Sequence, residues 1–284
     1  MTTHHEVRRA ILVVLDGLRP DAIERFNLSH IRELASHGAS SLSARTVAPS
    51  LTNAAVASLL TGVSPQRHGI QTDRLLLPRS SNGIVGMPEV LARAGFPSSA
   101  FAGEVPRTFR GLAAGIGRRL GLGTLHLSGK TAPEILLAAR STLRTQRRGL
   151  IVFHWRDADT AGHDSGWMSE PYGEAARRMD STMGMLAGFT DLANDEHTLV
   201  IVLADHGGGG SNAKNHESDH PLDRTIPLVL AGKSVLPVEL GPVSLLDVPT
   251  TILWSMGVQV PDFHEGRVLR EAFRPVDTPI IAVA

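Results

Sequence analysis

Four short runs of apolar, largely β-branched residues punctuate the chain: AILVVLDG (10–17), LIVFHW (150–155), LVIVLAD (199–205) and IPLVLAG (226–232). Their apolar positions follow one another instead of alternating with polar ones. That is the pattern of strands buried on both faces of a mostly parallel sheet. Between them the period changes. LSHIRELASHG, TNAAVASLLTG and MPEVLARAG are amphipathic stretches that each run to a glycine, the residue best suited to end a helix. TAPEILLAARSTLRTQ and EPYGEAARRMDSTMGMLAGF predict longer helices, and SLLDVPTTILWSMG one more near the C-terminus. Strands alternating with helices predict right-handed βαβ units and a three-layer αβα sandwich with a mostly parallel central sheet. No repeat and no linker divides residues 1–284, which read as a single domain. The one candidate insertion is 105–130, glycine-rich and carrying Arg107, Arg110, Arg118 and Arg119. It reads either as a short basic lid over a site or as a solvated surface excursion.

At 284 residues the chain can bury a large core without staples. Cysteine is absent, which excludes disulfides, thiolate zinc sites and a cysteine nucleophile. Any metal must therefore sit on Asp, Glu, His and other oxygen ligands. Lysine plus arginine and aspartate plus glutamate both number 28, so neither nucleic acid nor a membrane is an expected partner. No run approaches the ~18 apolar residues of a membrane-spanning helix. The first apolar run is short and ends in Asp16, unlike a secretory signal, so a cytoplasmic location is expected. Thirteen histidines are more than packing usually needs. His4 and His5 read as an exposed tail. His68 in PQRHG reads as turn chemistry, Asp247 as a helix cap, and Trp155 and Trp254 as core.

Chemistry gathers at the strand ends. In an open parallel sheet, ligands bind beyond the carboxyl ends of the strands. ILVVLD ends in Asp16, LIVFHWRDADTAGH leads to Asp159 and His163, and LVIVLADH ends in Asp205 and His206. Carboxylates converging on one edge repel, and a cation is the ordinary remedy. DTAGH puts Asp159 and His163 one helical turn apart on one face, which selects Asp159 over Asp157. Where the last strand breaks into the glycines of ADHGGGG, Asp205 and His206 can serve two neighbouring ions. Thr52 opens a predicted helix, where N–H groups and the helix dipole favour an anion. It reads as a nucleophile or as a plain N-cap threonine.

Taken in order, VVLDGLRPD, PSLTNAAVASLLTGVSPQRHGI, DADTAGHDSG, ADHGGGG and NHESDHPLDRTIPLVLAG resemble the alkaline phosphatase superfamily. The type I phosphodiesterase / nucleotide pyrophosphatase branch is the nearest likeness, with some similarity to phosphonoacetate hydrolases in the TN dipeptide. The resemblance implies an alkaline phosphatase-like αβα domain without a large cap, and two divalent metal ions. Asp16, Thr52, Asp205 and His206 would hold one ion. Asp159, His163 and His216 would hold the other, with His220 the alternative to His216. Such an oxygen and nitrogen set suits Zn²⁺ or Mn²⁺ better than Ca²⁺. Thr52 would attack phosphorus. Where nucleotide pyrophosphatases place an Asn against a phosphoryl oxygen, the ungapped position is Asp73, and Asn53 is the candidate replacement donor.

The sulfatase branch needs a Cys or Ser nucleophile motif that SLTNA does not provide, and the phosphoglycerate mutase branch carries an inserted domain for which this chain has no room. Three carboxylates and a Thr52 alkoxide balance two divalent ions, which suits a phosphodiester monoanion. A monoester dianion normally finds an added basic clamp, for which Arg156 and Lys214 are candidates by proximity. The expectation is a two-metal phosphodiesterase acting on a small phosphate ester. A phosphomonoesterase or phosphonoacetate hydrolase-like C–P hydrolase is the alternative, and a non-catalytic metal-binding member is the second alternative.

Overall fold

The computed structural model describes residues 7–72 and 83–275. Among them, eight strands form one sheet: β1 (Arg9–Leu15), β2 (Ala39–Arg45), β3 (Ser98–Ala102), β4 (Thr124–Leu127), β5 (Gly149–Trp155), β6 (Thr198–Leu203), β7 (Thr225–Ala231) and β8 (Val238–Glu239). Their order across the sheet is β4-β3-β5-β1-β6-β7-β2-β8. The four apolar runs are its middle, β5, β1, β6 and β7. Every residue of β1 and β6 is buried, as continuous apolar sequence requires. The strands that the apolar pattern does not predict are the flanking ones. β2 is spelled ASSLSAR and carries a bulge between Ser41 and Ala44, while β4, TLHL, is a partly exposed edge. Less burial asks for less apolar sequence.

The sheet is parallel from β4 to β6. β7 alone runs against both of its neighbours, β6 and β2. This reversal matters for the site. β6 ends and β7 begins at the same edge, so the connection 204–224 stays beside the carboxyl ends of the parallel strands.

The helices are α1 (Asp21–Arg25), α2 (Ser29–His37), α3 (Thr52–Thr61), α4 (Pro65–His68), α5 (Met87–Arg93), α6 (Arg107–Arg119), α7 (Ala132–Thr145), α8 (Asp157–Ser165), α9 (Glu170–Thr190), α10 (Pro221–Arg224) and α11 (Asp247–Ser255). One set, α2, α7 and α8, packs on α9. A second set, α3, α5 and α11, packs together, and β5 touches both sets through α7 and α5. The result is the expected helix–sheet–helix sandwich. Local chemistry starts and stops these helices. Thr131 and Glu134 form a capping box at α7, and left-handed Gly62 ends α3. Residues 105–130 contribute α6 and then β4, which extends the sheet beside β3. His4 and His5 lie outside the described residues.

His68, at the end of α4, is buried between helices. Its Nδ1 accepts from the Ile70 N–H at 3.1 Å, so Nε2 carries the proton and donates to Ser58 Oγ at 2.9 Å. Burial pushes its pKa down to about 4, from an ordinary 6.5. Between these values the unfolded chain binds the proton that the folded ring refuses. This contribution is therefore complete above pH 6.5 and is lost as pH falls toward 4. Denaturant unfolding at pH 7 and at about pH 4.5 should show a smaller acid loss for His68→Gln than for the parent chain; equal losses would remove His68 from the acid response.

Candidate functional site

β1 delivers Asp16 to the carboxyl edge, its N–H still paired to Trp155 O at 2.9 Å. β5 leads through Arg156 into α8, whose Asp159 N–H bonds Asp16 O at 3.0 Å and so ties the two acids together. β6 leads to Asp205 and His206, both without solvent exposure. The glycines after them serve close packing. A Cβ on Gly207 would lie 2.0 Å from Leu222 O, and one on Gly208 would lie 2.1 Å from the Trp167 ring. The space left by the missing side chains is filled by the protein itself.

Thr52 is the first residue of α3, and Leu51 precedes it as the cap with no side-chain capping bond. The plain N-cap reading of Thr52 is thereby set aside. Its Oγ1 lies 3.0 Å from His206 Nε2 and 3.5 Å from Asp16 Oδ1. Asn53 follows it, half-buried, in the first turn.

Three histidines are oriented by the backbone. Nδ1 of His163 lies 2.9 Å from Lys214 O, Nδ1 of His206 2.9 Å from Gly207 O, and Nδ1 of His216 2.7 Å from Ser50 O. A carbonyl only accepts, so each Nδ1 carries a hydrogen and each neutral ring presents a bare Nε2. Ser50 binds His216 twice, because its Oγ also donates to His216 O at 2.6 Å. The rings of His206 and His216 stack with centroids 3.7 Å apart.

These Nε2 atoms face carboxylates. His206 stands 3.2 Å from Asp16 Oδ1 and 3.7 Å from Asp205 Oδ2. His163 and His216 stand 3.2 and 3.8 Å from Asp159 Oδ1. Asp16 Oδ2, Asp159 Oδ1 and Asp205 Oδ2 are buried without a hydrogen bond. Donor atoms of one tetrahedral ion with bonds of 2.0–2.1 Å stand about 3.3 Å apart. A cage of orphaned acceptors at such separations fits divalent cations. Among the described residues, two groups gather their ligand atoms within 4.8 Å: Asp159, His206 and His216, and Asp16, His154 and Asp205.

Electrostatics say the same. Burial alone would raise the Asp16 pKa, yet His154 and His206 hold it well below the usual carboxylate range. Burial opposes charge on both rings, but the facing carboxylates raise His154 to about 9 and His206 to about 10. Burial, then the neighbouring His206, pushes His216 down. The Asp159 carboxylate raises His163. The cage draws positive charge to itself.

Asp16, Thr52, Asp159, His163, Asp205, His206 and His216 thus meet at one edge. His220 does not join them: its Nδ1 accepts from Leu222 N at 3.1 Å and caps α10. Asp157 turns away to Ala132 N at 2.9 Å. Lys214 spends its ammonium on Asp164 O at 2.7 Å. Arg156, 54% exposed, lies 3.6 Å from Asp16 Oδ2 and 4.0 Å from Asp159 Oδ2. Asp247 accepts from Ser244 N and Arg267 N and fastens the start of α11. Asp73 lies outside the described residues. His154 was missed by sequence reasoning because it hides inside an apolar strand. Its one signal is being the polar residue of LIVFHW, opposite Val14 and two residues short of Asp16 in the β1 register.

The family described as type I phosphodiesterase / nucleotide pyrophosphatase matches residues 10–84 and 91–240. Human ectonucleotide pyrophosphatase/phosphodiesterase family member 1 is 24% identical over 233 residues, covering 74% of this chain. The chain spans only 24% of that protein's length. Murine ectonucleotide pyrophosphatase / phosphodiesterase 5 superposes with TM-score 0.74 at 12% identity, covering 94% of this chain and 100% of that one. A Vibrio parahaemolyticus protein of the alkaline phosphatase superfamily gives 0.75 at 15% identity, covering 97% and 72%. These structural likenesses show a shared fold. No described helix is long and apolar enough to cross a membrane. With five ordered motifs inside the matched residues, the chain belongs to the type I phosphodiesterase / nucleotide pyrophosphatase family.

Proposed function

We propose that the chain hydrolyses small phosphodiesters or nucleotide pyrophosphates, with Thr52 as nucleophile. The observation that carries this reading is the Thr52 hydroxyl at a helix N-terminus, within 3.0 Å of His206 Nε2 and 3.5 Å of Asp16 Oδ1. Murine phosphodiesterase 5 supports it, since its structure is of an inactive form with a threonine changed to alanine, in complex with AMP.

Asp16, Thr52, Asp205 and His206 would hold one divalent cation, zinc or manganese, and Asp159, His163 and His216 a second. Bound there, such ions supply charge for the phosphoryl oxygens and for the departing oxygen. The rest is the chain's own work. The first-turn N–H groups of α3 and its dipole hold the phosphoryl oxygens. Asp16 and His206 fix the direction of the Thr52 hydroxyl. Its Oγ1 attacks phosphorus in line and gives up its proton, which ends on the departing oxygen; the Oγ–P bond forms, the bond to the leaving group breaks, and a phosphodiester of Thr52 that keeps the remaining ester group results. Water then cleaves Oγ–P, restoring Thr52 and releasing a phosphomonoester. The sum is one water consumed per ester cleaved.

A monoesterase is the second reading, favoured by Arg156. Its guanidinium stands over the Asp16 and Asp159 carboxylates, near enough to clamp the extra charge of a monoester dianion.

Thr52→Ala should keep its bound metal while turnover falls at least about 10³-fold; near-normal turnover would end the covalent role. Chelator-treated protein should melt below the same protein given zinc or manganese, by as much as about 4 kcal/mol at a ~1,000-fold excess over Kd. Coincident melting curves would argue against any cation in the cage. On a panel of aryl phosphodiesters, monoesters, phosphonates and sulfates, diesters should be cleaved fastest. Arg156→Ala should then lower kcat/KM for the monoester more than for the diester, and an equal effect on both would deny Arg156 a clamping role.

A further inference from the structure

We infer that His154 is a ligand of the cation held between Asp16 and Asp205, giving that wall of the site a nitrogen donor that no motif supplies. The inference rests on the reading above that the cage holds cations. His154 lies in β5 with its side chain 16% exposed, and its Nε2 is 3.2 Å from Asp16 Oδ2 and 3.9 Å from Asp205 Oδ2. All three of these atoms are buried, and none has a hydrogen-bond partner. An imidazole that merely paired with a carboxylate would aim an N–H along the contact. Here the distances are close and that alignment is missing. The 3.2 Å separation matches the roughly 3.3 Å edge of a tetrahedral ion, and all three atoms lie within 4.8 Å of one another, close enough to share one cation.

The other oxygen of each acid is already committed. Asp205 Oδ1 accepts from Gly17 N at 3.2 Å and His206 N at 3.1 Å. Asp16 Oδ1 faces His206 Nε2 at 3.2 Å and Thr52 Oγ1 at 3.5 Å. What remains, two Oδ2 atoms and the His154 nitrogen, gathers within 4.8 Å beside Asp16. A rival cation stands close by, since Arg156 Nε is 3.6 Å from Asp16 Oδ2. That guanidinium is half exposed and has room to swing into solvent. His154 sits on a central strand and has none.

The test reads metal, not turnover. The full chain, its Ala and Gln variants at residue 154 (His154→Ala, His154→Gln) and His154→Glu are stripped by chelator, checked for fold by circular dichroism, and reloaded with zinc or cobalt. Bound metal is counted by elemental analysis, and affinity is measured against a chromophoric chelator. The parent should load two ions. His154→Ala and His154→Gln should bind one of them at least about 100-fold more weakly, more than the loss of an outer-sphere partner costs. The cobalt absorption should lose the contribution of one nitrogen donor, and His154→Glu should recover the ion count with an oxygen-type spectrum. If the Ala variant does not fold, the Gln variant decides. Two ions bound at parental affinity, with an unchanged cobalt spectrum, would overturn the assignment and leave His154 as a charge partner of Asp16. A parent that loads no cation overturns this inference together with the cage. A parent that loads cations but cleaves no phosphate ester overturns the proposed function alone.

Discussion

Buried negative charge at the carboxyl edge of the sheet is the constraint to which the surrounding chain is fitted. Asp16 and Asp205 have no solvent exposure, Asp159 has 3%, and each keeps a buried oxygen with no hydrogen bond. Charges so placed repel one another strongly where water cannot screen them. Their neighbours answer that repulsion. Asp205 Oδ1 takes two backbone N–H groups, His154 and His206 turn their nitrogens toward the acids, and Arg156 leans over the mouth. An αβα sandwich can collect acids in this way because its parallel strands all end on one side. The reversed β7 extends the benefit, keeping the connection that carries His206 and His216 on that side as well.

The histidines show how little is left to side-chain freedom. Lys214 O, Gly207 O and Ser50 O each receive an Nδ1 hydrogen, so three rings are held in both orientation and tautomer by the main chain. Carbonyls of loops thus do the work that a second layer of acids does in many metal sites. Packing supports these loops in turn. Trp167 fills the room above Gly208 and bonds Gly17 O at 2.9 Å, and Tyr172 reaches the same oxygen at 3.0 Å.

What the sequence made legible follows burial. β1, β5, β6 and β7 are covered on both faces and spell themselves in unbroken apolar residues, whereas β2, β4 and β8 lie toward the edges and need no such spelling. Asp16, Asp205 and His206 could be read because they stand where an apolar run stops. Asp159 and His163 could be read because helical periodicity puts them on one face. His216 was different: nothing local separates it from His220, and only the ordered family motifs chose it. Folding makes the distinction, giving His216 to Ser50 and His220 to the start of α10. His154 was silent because polar residues inside strands ordinarily mean nothing until a neighbouring strand is known. The pairing of β5 with β1, a contact across most of the chain's first half, is what brings it to Asp16. The glycines of ADHGGGG were legible as the place where the strand breaks, but the tenant of the space beside them, Trp167, was not.

Ser50 grips His216 from two directions, through its carbonyl and through its hydroxyl, and it stands two residues ahead of Thr52. The segment that leads into Thr52 and the segment that presents the His216 imidazole are therefore one mechanical part. Neither can be retuned alone: a shift at the head of α3 large enough to suit a bulkier substrate would also drag on His216. Under the proposed function, variation in substrate choice would be channelled away from this joint, toward surface groups such as the half-exposed Arg156.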